Sequence, residues 1–266
     1  MLYKGNLLKM HAQLNDVIAY QLPIGSDLVD MNTLIGKDLT WTYQHQINCV
    51  HCGKKTKTSF SQGYCYTCFT SLPQTDVGII NPELDESHLG ISRDMAWAKE
   101  NSLKPHYVYL SFSSNVKVGV TRESQIPTRW IDQGAIRAIK LAKTPNRHIA
   151  GIIEVALKAH FADKTNWRNM LKNKGEATVD LKIEKLRAAE LLHPELKQYL
   201  CMEDELVELN FPVEQYPKKI TSVSFDKLDR YKGKLSGIKG QYLMFDDGKV
   251  LNIRKHNGYL VELEIE

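Results

Sequence analysis

The sequence predicts an α+β fold assembled from small units, and three observations predict it. Residues 107–161 read as strand, turn, strand, helix, strand, helix. Two C-x-x-C pairs are separated by twelve residues, from Cys52 to Cys65. Residues 218–266 are short apolar runs spaced by glycines, a β signature.

Residues 1–47 read as a β-rich N-terminal unit. Val17-Ile18-Ala19-Tyr20 and Leu39-Thr40-Trp41-Thr42-Tyr43 alternate as strands do, with turns at Gly25-Ser26 and Gly36-Lys37-Asp38.

Residues 48–105 read as a zinc ribbon followed by an acidic loop. Cys49, Cys52, Cys65 and Cys68 have the paired spacing of a structural zinc site. Zinc takes four thiolates tetrahedrally, and each C-x-x-C turn presents two sulfurs to one ion. Lys54, Lys55 and Lys57 lie between the pairs and offset the negative charge of four thiolates. A redox dithiol is the other use of such a pair. His51 is a possible substitute ligand, but all four cysteines are present. Pro73, Pro82 and Pro105 keep the following segment loop-like, with one short helix from Arg93 to Asn101.

Residues 106–175 form the central module. Tyr107-Val108-Tyr109-Leu110 and Val116-Lys117-Val118-Gly119-Val120 alternate around Ser113-Ser114-Asn115, a hairpin signal. A helix with Pro127 near its start carries Arg129 and Trp130. Gly134 is read either as its C-cap or as a point of close ligand approach. Ala138–Ala142 completes a three-stranded sheet. A second helix carries Ile149, Ile152, Ile153, Ala156, Leu157 and Phe161 at helical spacing. Glu154 is its single acid among apolar neighbours, read either as a metal ligand or as the ion-pair partner of Arg129, Arg137 or Lys158. Trp167, in the polar run Asp163–Trp167, serves either core packing or base stacking.

Residues 176–217 read as an acidic helical segment and an extended linker, divided by Pro194 and closed by Pro212 and Pro217. Residues 218–266 read as a small sheet or barrel-like unit, with a hairpin turn at Asp246-Asp247-Gly248. The N-terminal strands are candidates to join it.

The net charge is +4, unevenly spread. Residues 104–175 hold 13 Lys/Arg and 4 Asp/Glu, a balance of +9, and residues 176–216 balance at −6. A local basic field suits a polyanion such as nucleic acid. No apolar run approaches the roughly 20 residues that span a bilayer. The cysteine usage and an N-terminus unlike a signal peptide lead to the expectation of a cytoplasmic protein.

The order of elements in 106–175 resembles the GIY-YIG nuclease domain. Tyr109 stands at the first-strand tyrosine, Val118-Gly119 at the end of the second-strand motif, Arg129 at the helical arginine, Glu154 at the metal-binding glutamate and Asn166 at the closing asparagine. Lys117 replaces the second-strand tyrosine, and His106-Tyr107-Val108 replaces a glycine-led start. The resemblance implies catalysis by Tyr107 or Tyr109, Arg129 and Glu154, with Mg2+ or Mn2+ held by Glu154. Tyr109, Arg129 and Glu154 should then share one concave face, with Gly119 letting a phosphate reach the sheet. Lys117, Arg122, Arg137, Lys164 and Arg168 are the expected nucleic-acid contacts.

Over nearly its whole length the chain also resembles domain-of-unknown-function family 2797. The resemblance rests on residues 52–57, 63–68, 129–135, 163–168, 237–243 and 251–256. Relatives often carry a second cysteine cluster, where this chain has Thr75, Gly78, Asp85 and Ser92. Two functions therefore stand side by side. One is a metal-dependent phosphodiesterase acting on DNA or RNA. The other is a non-catalytic nucleic-acid-binding or scaffolding protein.

Overall fold

The tail of the chain returns to its head. In the computed structural model, Tyr259–Ile265 pairs antiparallel with Leu2–Asn6 on one side and with Asp38–Asn48 on the other. The structure describes residues 1–162, 164–175 and 179–266. In chain order the first strands are β1 (Leu2–Asn6), β2 (His11–Gln13), β3 (Ala19–Ile24), β4 (Asp27–Asp30), β5 (Asp38–Asn48) and β6 (Lys55–Thr56), followed by helix α1 (Tyr66–Ser71). The middle of the chain supplies α2 (Val77–Ile80), α3 (Met95–Asn101), β7 (His106–Phe112), β8 (Val116–Arg122), α4 (Thr128–Asp132), β9 (Arg137–Thr144), α5 (Arg147–Leu157), α6 (Trp167–Leu171), α7 (Leu181–Leu191) and β10 (Leu206–Glu208). The last strands are β11 (Thr221–Val223), β12 (Arg230–Lys239), β13 (Tyr242–Phe245), β14 (Lys249–Asn252) and β15 (Tyr259–Ile265). No helix among the described residues is long and apolar enough to cross a membrane.

Two compact units result, Met1–Thr70 with Asn210–Glu266, and Ser71–Leu209. In the first, an eight-stranded sheet runs β1-β15-β5-β12-β13-β14-β11, with β6 beside β5. A smaller sheet, β2-β3-β4, accompanies it. The C-terminal strands therefore do not close into a barrel. β15 has N–H and C=O groups on both edges to satisfy, and β1 and β5 supply both rows of partners. Alternating side chains from β5, β12 and β15, among them Leu39, Trp41, Leu235, Val261 and Leu263, are fully buried.

The second unit is built on an antiparallel sheet in the order β10-β9-β7-β8. The hairpin β7–β8 turns at Ser113–Asn115, and its strands pair from His106↔Arg122 to Phe112↔Val116. The sheet has four strands rather than three. Leu206–Glu208, in the segment read as acidic helix and linker, pairs with Arg137–Ile139 and covers an edge of β9. Val108, Leu110, Val118, Ile139 and Leu141 form the core with Ala150, Ile153 and Leu157 of α5 and with Leu181 and Ala188 of α7.

The loop preceding β7 wraps α5. Its 3-10 turn Pro82–Leu84 packs on the helix at Gly151, where any Cβ would collide with the Pro82–Glu83 backbone. Glycine at this point is what lets the two backbones meet. Helix propensity alone predicts that Gly151→Ala stabilises α5 by about 1 kcal/mol. The collision reverses the sign, and an overpacking cost of about 1–3 kcal/mol is expected. A lower urea midpoint at unchanged m-value would carry that result.

Candidate functional site

β7 places Tyr109 opposite Gly119 of β8. A Cβ on Gly119 would lie 2.7 Å from the Tyr109 hydroxyl oxygen and 2.8 Å from Cζ. The glycine thus gives the space of a side chain to the phenol of Tyr109. The phenol donates a hydrogen bond to Gln133 Oε1 at 2.8 Å and meets the Trp130 ring at 5.9 Å in a T-shaped contact. Both partners come from α4 and its C-terminal turn, which Gly134 ends at φ +68°. Burial holds the Tyr109 pKa above the usual phenol range, while the neighbouring Arg129 guanidinium pulls it down.

This arrangement forms one wall of a cavity of about 300 Å³. Tyr109, Lys117, Gly119, Arg129, Gln133, Arg147, Glu154, Lys158 and Lys164 line it, together with Ile79–Pro82 of the wrapping loop. Five of these side chains are cations and one, Glu154, is an acid. A low-dielectric recess with this balance concentrates anions.

Glu154 is only 9% exposed. The Lys158 ammonium one turn along α5 is 3.9 Å from its carboxylate, a loose ion pair. Burial raises the Glu154 pKa; Lys158, Lys117 and Arg147 oppose the rise, and Glu83 adds to it. Arg147 anchors the loop wall, donating from Nε to the Gly78 carbonyl at 2.8 Å and from a terminal nitrogen to the Ile79 carbonyl at 2.6 Å. Its burial lowers its pKa to about 10.

A second cluster lies in the other unit. The Sγ atoms of Cys49, Cys52, Cys65 and Cys68 are all within 4.8 Å of one another, with Cys52 and Cys65 at 3.9 Å. Four thiolates around one ion at about 2.3 Å would lie about 3.8 Å apart. The set therefore fits a tetrahedral metal ion such as zinc. Local backbone bonds shape it. Cys49 N–H donates to Lys54 O and Gly53 N–H to Cys49 O, both at 2.9 Å, closing the first turn. Burial raises the Cys49 thiol pKa, but backbone N–H groups of Cys52, Cys65 and His51 outweigh it and hold the thiol low, at about 6. Burial and the neighbouring sulfurs push Cys68 up to about 12. Without a cation, so many sulfurs so close resist ionising together.

The family model described as "Protein of unknown function (DUF2797)" matches residues 36–261. The chain belongs to this family. No curated protein and no solved structure matches it. The region matched to DUF2797 takes in all four cysteines and every residue lining the cavity.

Of the residues singled out from the DUF2797 sequence, the cavity gathers Tyr109, Lys117, Arg129, Glu154 and Lys164. Tyr107 is not in its lining. Its hydroxyl donates to Glu123 at 3.3 Å, and Lys140 and Lys143 lie over its ring. Arg122 is held by Asn101. Arg137 lies 5.2 Å above the Phe112 ring, and Arg168 4.3 Å above Trp167. Asn166 caps the start of α6 by accepting from Asn169 N–H at 3.1 Å. Asp163, next to this cluster, lies outside the described residues, as do residues 176–178 of the acidic segment. Arg147 and Ile79–Pro82 carried no sequence signal, because a helix-start arginine and a proline-rich loop look the same wherever they pack.

A raised carboxyl pKa fixes a sign. The ionised form of Glu154 is disfavoured in the fold, so its contribution to stability is present below the unfolded carboxylate range and lost as pH rises through the folded value. In metal-free buffer Glu154→Gln should therefore unfold at a higher temperature than the wild type near pH 7. The gain should vanish near about pH 4. Thermal unfolding across that range checks it.

Proposed function

We propose that the chain acts on nucleic acid, hydrolysing phosphodiester bonds at the cavity of its second unit with help from a divalent metal ion, as in the GIY-YIG nucleases it resembles. One observation carries the proposal. Tyr109, Arg129 and Glu154 come from β7, α4 and α5, and they line one small cavity whose other charges are cations.

The roles follow from the chemistry. Arg129 neutralises charge that builds on the phosphate oxygens in the transition state. Glu154, buried and only loosely paired, offers a hard oxygen ligand for Mg2+ or Mn2+. Held there by Glu154, such an ion would supply Lewis acidity toward a phosphoryl oxygen and a water. Tyr109, kept neutral by burial and aimed by Gln133, orients the attacking water through its hydroxyl oxygen. Lys117 and Lys164 hold neighbouring phosphates in register. Tyr107, engaged by Glu123, is left out of this scheme.

One observation favours binding without catalysis. Lys117, only 7% exposed, stands where the resembling nucleases carry a tyrosine, and its charge stabilises the Glu154 carboxylate. In that reading the lysines complete the balance a metal would otherwise supply. A cleavage screen on labelled single-stranded, duplex and branched DNA and RNA with Mg2+ or Mn2+ separates the two. Arg129→Ala is expected to slow cleavage by roughly 10²-fold. Glu154→Gln should abolish it while leaving substrate affinity near wild type. Cleavage absent from every substrate, with affinity intact, leaves the binding function.

The four cysteines, in this proposal, hold a structural zinc ion. Elemental analysis should find one zinc per chain, and Cys49→Ser should lose it. The same variant should unfold at a lower temperature, because ion binding is coupled to folding at such sites.

A further inference from the structure

We propose that the two cysteine turns form a binding surface for single-stranded nucleic acid, with Tyr66 as the platform on which an unpaired base stacks. This surface belongs to the first unit and stands independently of the cavity.

Tyr66 is 65% exposed. Among the described residues it is the only Phe, Tyr or Trp in the exposed class; every other aromatic is buried or half-buried. The Phe60 ring meets Tyr66 at 5.6 Å in an edge contact, and Phe60 is itself stacked on Phe69 at 5.6 Å. An edge contact occupies at most one face of the Tyr66 ring, and the exposure of the residue leaves apolar ring surface open to solvent.

The electrostatic surroundings favour a polyanion. Residues 39–70 contain Lys54, Lys55 and Lys57 and no Asp or Glu. All three lysines are exposed. The fold brings them to the same small structure as Tyr66. Lys54 O closes the first cysteine turn, Tyr66 directly follows Cys65, and the Cys52 and Cys65 sulfurs that join the two turns are 3.9 Å apart. Charge balance for the thiolates accounts for lysines near the cluster but leaves the exposed ring unexplained. Stacking on an aromatic with lysines tracking the backbone accounts for both. The preferred strand is unpaired, because a duplex keeps its base faces inside its own stack.

The test uses the full zinc-loaded chain and fluorescence anisotropy, with a labelled oligothymidine about 20 nucleotides long and a duplex of equal length. The single strand should bind more tightly. Tyr66→Ala should weaken it by roughly tenfold or more, with Tyr66→Phe close to wild type and zinc content unchanged in both. Replacing all three lysines by alanine should flatten the log–log salt dependence by about two units. Equal affinity for strand and duplex overturns the proposal. So does a Tyr66→Ala variant that binds like wild type, or displacement by polyglutamate as effective as by oligonucleotide. Strand binding that depends on Arg129 and not on Tyr66 would put the strand in the cavity and overturn the surface. Failure of cleavage alone bears only on the cavity.

Discussion

A phenol lying where the facing strand has no side chain governs the second unit. Tyr109 occupies the space above Gly119, and everything on that side of the sheet follows. The hydroxyl needs a partner once buried, and Gln133 supplies it from the end of α4. Trp130 fills the space beside the ring. Those two contacts set the position of α4 and hence carry Arg129 to the cavity. A larger residue at 119 would expel the phenol and break this chain of contacts together.

The opposite wall depends on a second close approach, that of the Pro82–Glu83 backbone to Gly151. It brings Ile79–Pro82 over the helix turn that carries Glu154, while Arg147 ties the loop down through the carbonyls of Gly78 and Ile79. The result is a carboxylate kept from water among cations, unfavourable for the fold. Sites of function often carry such a local penalty.

The first unit solves a different problem. Its sheet closes the chain's two ends on each other through β1 and β15. Its cysteine cluster concentrates sulfur whose ionisation is mutually opposed until a cation is present.

Local patterns were readable from the sequence alone. The strand pair in 107–120, the Ser-Ser-Asn turn and the paired cysteines each depend on residues near in the chain, and all appear in the structure; the stripe of α5 appears in part, with Ile153 and Leu157 in the core and Ile152 and Ala156 exposed. Tyr109, Arg129 and Glu154 were nameable because a motif preserves their order. Partners distant in sequence were not readable. The return of β15 to β1 spans nearly the whole chain, and β10 joins β9 from a segment whose composition read as helix and linker. Nor did any local rule reveal that Gly119 makes room for a tyrosine and Gly151 for a loop. A glycine announces that a side chain is absent; only the tertiary structure decides what fills the space, because the neighbour that fills it arrives from elsewhere in the chain.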